Sequence, residues 1–266
     1  MSKINDLLGR MWADYIILNP HAQKIVNLLE SEGEAVLNDH IALRTFNDPR
    51  VSIDIIAKPF LESGYVEAGD YHFEAKKLYA KHFQHEDPKL PKVFISELLL
   101  EKFSDEFNQI VQLKLNYLSD EQIGDFTFTT SGKSWDISQV EYNKLKNESD
   151  YGAWLSAIGY RPNHFTVSLN DLKKYSDILT LNAFLKKNDY KLNDSGGEVK
   201  GSVDVFLEQS STLAASVEVQ FTDGALSIPS CYFEFAKRYI DESGKLYQGF
   251  VAKSADKIFE STDKSQ

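Results

Sequence analysis

A strand-like word with a histidine near its start occurs twice in this chain, and that repeat constrains the fold more than any other feature. Asn38-Asp39-His40-Ile41-Ala42-Leu43 parallels Pro162-Asn163-His164-Phe165-Thr166-Val167, and Pro91-Lys92-Val93-Phe94-Ile95-Ser96 parallels Pro229-Ser230-Cys231-Tyr232-Phe233-Glu234. In the first half the strand at 37–46 is followed by an Asp48-Pro49 helix start and a helical stretch to about Ser63. Strands follow around Tyr65-Val66-Glu67, from Tyr71 to Ala80, and at Lys92 to Ser96. In the second half a strand from Arg161 to Leu169 leads to a helix capped by Asn170 or Asp171 and running through about Lys187. Strands follow near Tyr190, at Val203 to Phe206, Ala215 to Phe221 and Cys231 to Ala236. Both halves therefore read β-α-β-β-β, the second with one weak extra strand. A single unit of this kind leaves a sheet edge and one face uncovered, whereas two units can close a half-barrel around a pocket. The expectation is an α+β fold: two βαβββ modules, at about 37–98 and 161–238, form a half-open barrel within one domain over 1–266. Added helices fall at 5–32, interrupted at Asn19-Pro20, and in a linker at 99–158 that includes a short strand-like piece at Phe126 to Thr129. The plain alternative is chance likeness between short strand-like words.

Composition narrows the function. The 266 residues, 42% hydrophobic, can bury a sizeable core. A net charge of −11 disfavours nucleic acid and anionic membranes as partners and leaves a small molecule as the better fit. Cys231 is the one cysteine, so no intramolecular disulfide forms and a reducing compartment is the simplest inference. The start lacks the basic-then-apolar pattern of a signal peptide, and no apolar run approaches the ~20 residues that span a bilayer, so the expected location is cytoplasmic. No glycine-rich phosphate loop, nucleophile elbow or Cys-x-x-Cys occurs.

Strand side chains alternate, so His40, Ala42 and Arg44 share a face, as do His164, Thr166 and Ser168, and Tyr232, Glu234 and Ala236. An ionisable group in a largely apolar strand costs several kcal/mol unless it is paired or metal-bound. Two histidines and a carboxylate on converging strands make a facial triad with open positions, the arrangement of non-haem Fe(II) oxygenases. The competing reading makes both histidines core residues satisfied by backbone and pairs Glu234 with Lys237 or Arg238. Arg44 is either a surface cation or a clamp for a substrate carboxylate. Gln220 and Glu218 share a face of a nearby strand, where either could contact a ligand. Glu218 is the main rival to Glu234 as carboxylate ligand, while Glu97 falls one residue off the matching position and faces the other way. His72 and Glu74 could line the same cavity or face solvent. His82 to Pro88, though rich in ligand-type residues, reads as a strand end and loop, His21 as a helix-start residue, and Cys231 as inert packing.

At these residues the sequence resembles the 2-oxoadipate dioxygenase/decarboxylase family of the vicinal oxygen chelate superfamily. The words that carry the resemblance are Asn38 to Phe46, Pro91 to Leu98, Gly159 to Thr166, and Gly249-Phe250-Val251. It implies metal ligation by His40 and His164 and substrate binding by Arg44 and Val251. A second resemblance, of Val219-Gln220-Phe221-Thr222 and Cys231 to Arg238 to the end of 4-hydroxyphenylpyruvate dioxygenase, implies Glu234 as the third ligand and Gln220 as a pocket residue. The implied cofactor is Fe(II), with Zn, Mn or Ni possible in a purified sample. The implied reaction takes 2-oxoadipate and O2 to 2-hydroxyglutarate and CO2, a step of lysine catabolism. Other members of the superfamily suggest a non-redox metal-dependent hydrolase, lyase or isomerase, or a non-catalytic binding protein.

Overall fold

The computed structural model describes residues 3–251. Its first elements are α1 (Lys3–Leu18) and α2 (Pro20–Ser31). Pro20 occupies the first turn of α2, where its missing N–H is harmless, and this splits the pair at Asn19. Leu7, Met11 and Tyr15, four residues apart, form the buried stripe of α1.

The first module consists of β1 (Asn38–Phe46), the short helices α3 (Ile53–Ile56) and α4 (Lys58–Leu61), then β2 (Val66–Phe73), β3 (Leu78–Gln84) and β4 (Lys92–Leu98). A linker carries α5 (Asp105–Leu115), α6 (Asp120–Gly124), α7 (Gln139–Glu148) and α8 (Asp150–Ile158). The second module runs β5 (Pro162–Ser168), α9 (Ile178–Lys187), β6 (Lys200–Ser202), β7 (Leu207–Ser211), a hairpin of β8 (Ser216–Phe221) and β9 (Gly224–Pro229), and β10 (Tyr232–Arg238).

Eight strands form one sheet in the order β2-β3-β4-β1-β5-β10-β7-β6. Each module pairs its first and last strands in parallel, β1 with β4 and β5 with β10, and the modules meet along the antiparallel β1–β5 seam. The two-module architecture is thus present. The outward side chains of the central strands are covered by helices: Trp12 meets Phe165 edge-on at 5.0 Å and Tyr15 lies 4.9 Å from the same ring. The opposite face of β1, β5 and β10 carries His40, Arg44, His164 and Glu234, all buried.

Several expected boundaries are corrected. Tyr71 to Ala80 is not one strand, because the chain turns at 74–77, with Lys77 at φ 55°, to make the β2–β3 hairpin. The first-module helix starts after Ser52 rather than at Asp48-Pro49, since the Asp48 carboxylate is taken by Arg50. Phe128 to Thr130 is a 3-10 turn, not a strand, and the helix expected at 139–158 is two, divided where Ser149 caps α8. Asp177, not Asn170 or Asp171, caps α9 through its contact with the Thr180 amide. In the second module Val203 to Val205 is a 3-10 turn, and the strand next to β10 is β7, which the sequence reading missed. Ala215 to Phe221 contributes instead to the separate β8–β9 hairpin.

The approach to β5 depends on Gly159. It ends α8 at φ 80°, and a Cβ there would lie 2.1 Å from the carbonyl carbon of Gly132, whose backbone bonds reciprocally with Tyr160. Relieving that overlap would pull apart the bridge that aims the His164 strand. Gly159→Ala is expected to lower unfolding free energy by more than ~2 kcal/mol in urea denaturation; a loss under ~0.5 kcal/mol, the usual size of a neutral surface change, would contradict this reading.

Candidate metal centre

Strand register assembles the site. Across the seam, His40 pairs with Thr166 and Ala42 with His164; on the next strand Glu234 pairs with Thr166 and Tyr232 with His164. His40, Thr166 and Glu234 therefore form one cross-strand row, with His164 one row away on the same face. One nitrogen from each histidine and one carboxylate oxygen of Glu234 lie within 4.8 Å of one another. Glu234 Oε1 is 3.5 Å from His40 Nε2, Glu234 Oε2 is 3.3 Å from His164 Nε2, and the imidazoles are nearly perpendicular.

Each of the three has a partner on its far side. His40 Nδ1–H donates to Asp39 at 2.8 Å, and Asp39 receives Arg238 through Nε at 2.6 Å and Nη2 at 2.8 Å. His164 Nδ1–H donates to Asn163 at 3.2 Å, and the Gln209 amide donates to Glu234 Oε1. These bonds turn both Nε2 atoms toward the carboxylate, the tautomer a metal ligand requires. Glu234 Oε2, fully buried, makes no hydrogen bond within the described residues. Two neutral imidazoles, one carboxylate and an orphaned inward oxygen fit a divalent metal.

Electrostatics agree. Burial holds His40 below its ordinary value despite the Asp39 carboxylate, and holds His164 well below, helped by the charges of His40 and Arg44. Burial pushes Glu234 up to about 8, offset only in part by Gln209. Asp39 is also buried, but the Arg238 charge and its hydrogen bonds outweigh desolvation and keep the carboxyl well below its usual range. The alternative pairing of Glu234 with Arg238 is thereby replaced, because the guanidinium is committed to Asp39 of the other module.

Arg44 is buried, not a surface cation; its guanidinium carbon lies 4.9 Å from the Tyr151 ring and 4.8 Å from the Trp154 ring. Gln220 and Glu218 stand outside this buried cluster. Both are exposed on β8, where the Gln220 amide donates to Glu218 at 3.4 Å, and the amide that reaches the triad is that of Gln209. Glu97 faces away and accepts the Ile53 amide at the start of α3. His72 and Glu74 are solvent-exposed, and His85 bonds the Asp87 amide in its loop. His82 turns inward, where Tyr71 Oη donates to its Nδ1 at 2.9 Å. His21 packs edge-on to Tyr190, and Cys231 is a buried free thiol. Val251, part-buried, ends the described residues.

Sequence reasoning missed how the chain returns to the site after β10. A turn at Asp241 closes with Tyr247 bonded to Tyr239, and Arg238 donates to the carbonyls of Tyr247 and Gly249. Phe250 then packs 4.8 Å from His40 and donates its amide to Tyr71 Oη. The adjacency of Asp39 to His40 was the available signal for the Asp39 contact; nothing in the sequence announced its partner Arg238, which lies 199 residues away.

Paired βαβββ modules around a two-histidine, one-carboxylate cluster define a vicinal-oxygen-chelate-like fold with a candidate metal centre. In fold the chain matches a protein assigned to the glyoxalase superfamily from Ralstonia eutropha JMP134, with TM-score 0.75 and 22% identity over 92% of this chain and 85% of that one. Residues 4–245 match the 2-oxoadipate dioxygenase/decarboxylase family, and the chain belongs to it. It is similar to the Oryza sativa hydroxyglutarate synthase solved in complex with 2-oxoadipate, at 34% identity and TM-score 0.89, covering 97% of this chain and 91% of that one. It is also similar to a Shewanella frigidimarina structure described only as a candidate hydrolase, at 51% identity and TM-score 0.91, covering 94% and 98%.

A pH prediction follows for the metal-free protein. The folded-state value of Glu234, about 8, stands above its ordinary 4.5. The native fold therefore favours the protonated carboxyl, and its contribution is fully present below about 4.5 and lost as pH rises to about 8. Glu234→Gln stays neutral throughout. Urea denaturation of the metal-free proteins is expected to show the variant gaining on the parent between pH 5 and 8 by on the order of a few kcal/mol; a difference independent of pH would contradict the assignment.

Proposed function

We propose that this chain is an Fe(II)-dependent dioxygenase that decarboxylates and hydroxylates a 2-oxo acid. 2-Oxoadipate is the best candidate, converted with O2 to 2-hydroxyglutarate and CO2. The observation that carries the reading is the buried His40, His164 and Glu234 cluster, set on the same inward face as Arg44. Family membership and the 2-oxoadipate held by the rice relative support it.

In this reading His40, His164 and Glu234 hold the metal, with Zn, Mn or Ni able to take the same ligands in a purified sample. Bound Fe(II) supplies redox chemistry with O2 and open positions for the carboxylate and keto oxygen of the substrate. Asp39 and Asn163 fix the imidazole tautomers, and Gln209 orients the carboxylate. Arg44, four residues along β1 from His40, lies ~13 Å away at the Cα atoms, on the side toward which the substrate's distal carboxylate would extend. Its stacking between Tyr151 and Trp154 restricts the guanidinium's freedom, so less entropy is lost when it forms a bidentate bond. Phe250 covers His40 and helps exclude water, and Val251 beside it would contact substrate. The whole chain acts as one catalytic unit, since both modules give metal ligands. The buried, free Cys231 is compatible with a reducing, cytoplasmic setting, and among the described residues no helix is long and apolar enough to cross a membrane.

A second reading, a non-redox metal-dependent hydrolase, is favoured by the description of the Shewanella relative. Oxygen consumption separates the two. The protein, reconstituted anaerobically with Fe(II) and given 2-oxoadipate, is expected on admission of O2 to consume one O2 per CO2 and 2-hydroxyglutarate formed. Iron bound without oxygen uptake would turn the assignment toward the non-redox reading. In the same assay His40→Ala and Glu234→Ala are expected to lose iron, whereas Arg44→Ala keeps iron and raises KM for 2-oxoadipate at least ~10-fold. Wild-type kinetics in Arg44→Ala would remove the role given to Arg44.

A further inference from the structure

Tyr232 carries a hydroxyl that has no part in the proposed metal centre. It stands two residues before Glu234 on β10, and so on the same inward face, paired in register with His164. Its ring stacks on the His164 imidazole with centroids 4.6 Å apart and an interplanar angle of 28°. Its backbone is pinned from behind, where Tyr15 Oη donates to its carbonyl at 2.5 Å. The side chain has no exposure, yet its Oη makes no hydrogen bond within the described residues. Leaving a buried hydroxyl unpaired is costly, and a phenylalanine would fill the same space without that cost. The hydroxyl is therefore best explained by a partner outside the described residues.

Its surroundings indicate which partner. Toward the metal cluster lies Glu234, whose Oε2 is orphaned in the same way. Arg44 lies against Trp154, and the Trp154 indole donates to the Ser230 carbonyl at 2.5 Å, two residues from Tyr232. A tyrosine phenol is a neutral O–H donor at neutral pH. On the same inward face as Arg44, such a donor suits an anionic acceptor.

We propose that Tyr232 Oη donates a hydrogen bond to the distal carboxylate of the substrate, forming with Arg44 a two-point clamp that selects dicarboxylic over monocarboxylic 2-oxo acids. This rests on the 2-oxo acid reading of the site. An acid chelated beside His164 and reaching toward Arg44 would then present its far carboxylate to a charge and a neutral donor together.

The test is anaerobic calorimetric titration of 2-oxoadipate, and of 2-oxobutyrate, which lacks the distal carboxylate, into Fe(II)-loaded wild type and Tyr232→Phe, with iron content measured alongside. The variant retains the stacked ring and is expected to keep its iron, to bind 2-oxoadipate at least ~10-fold more weakly, and to bind 2-oxobutyrate as wild type does. Equal affinity of both proteins for 2-oxoadipate would overturn the clamp. So would equal weakening toward the two acids, which would place the hydroxyl at the metal end. If wild type itself bound neither acid, the 2-oxo acid reading would fail instead.

Discussion

Everything around the centre is arranged to tolerate one unfavourable act, the burial of the Glu234 carboxylate between two imidazoles. A carboxylate without solvent is destabilised by desolvation, and among the described residues the Gln209 amide is its hydrogen-bond donor. Among the described residues no cationic side chain is hydrogen-bonded to it. The basic group that sequence proximity would offer, Arg238, is held by Asp39, and Asp39 in turn holds His40. This diversion leaves a buried oxygen-nitrogen cluster that could hold a metal ion. It also ties the chain beyond β10 to the centre, since Arg238 grips the Gly249 carbonyl while Phe250 covers His40.

The duplicated architecture explains why the site is both shared and lopsided. The two histidines occupy equivalent places on β1 and β5, and the seam brings them together. The carboxylate has no counterpart: Glu234 pairs with Thr166, two residues past His164, and the residue paired with Ala42, two past His40, is Phe94. One module thus supplies the anion and the other an apolar wall, against which Phe250 packs at 4.9 Å. Arg44 likewise comes from the first module alone. The resulting gradient, with the candidate metal ligands at one end of the inward face and a buried cation at the other, is the one the proposed acid, chelated at its keto end and charged at its tail, would require.

Much of this was legible in the sequence, for physical reasons. His40 and His164 stood out because ionisable residues in apolar strands need a compensating partner, and alternation correctly placed Arg44 and Glu234 on the same faces. Glu97 was correctly set aside by a one-residue offset. What failed was long-range pairing. Alignment of the strand words matched Ser96 to Glu234, two residues off the true register; such a shift preserves the facing side and so leaves no trace in the alternation pattern. The run Ala215 to Phe221 alternates as a strand should, but period-two patterning cannot say which sheet a strand joins. Gln220 was thus placed in the pocket, while Gln209, on the short polar strand β7 with little apolar signal, went unseen. The partnership of Arg238 with Asp39 joins the two modules and exists only once the seam has formed.

The central claim is that these three side chains from two modules bind one metal ion that receives the 2-oxo acid. The most direct measurement is a crystal structure of the protein loaded anaerobically with Fe(II) and 2-oxoadipate, with anomalous diffraction collected at the iron edge. The account predicts a single iron peak bonded to His40 Nε2, His164 Nε2 and Glu234, with the acid chelating it and the distal carboxylate directed to Arg44. An iron peak elsewhere, or iron in place with the acid outside the half-barrel, would contradict it.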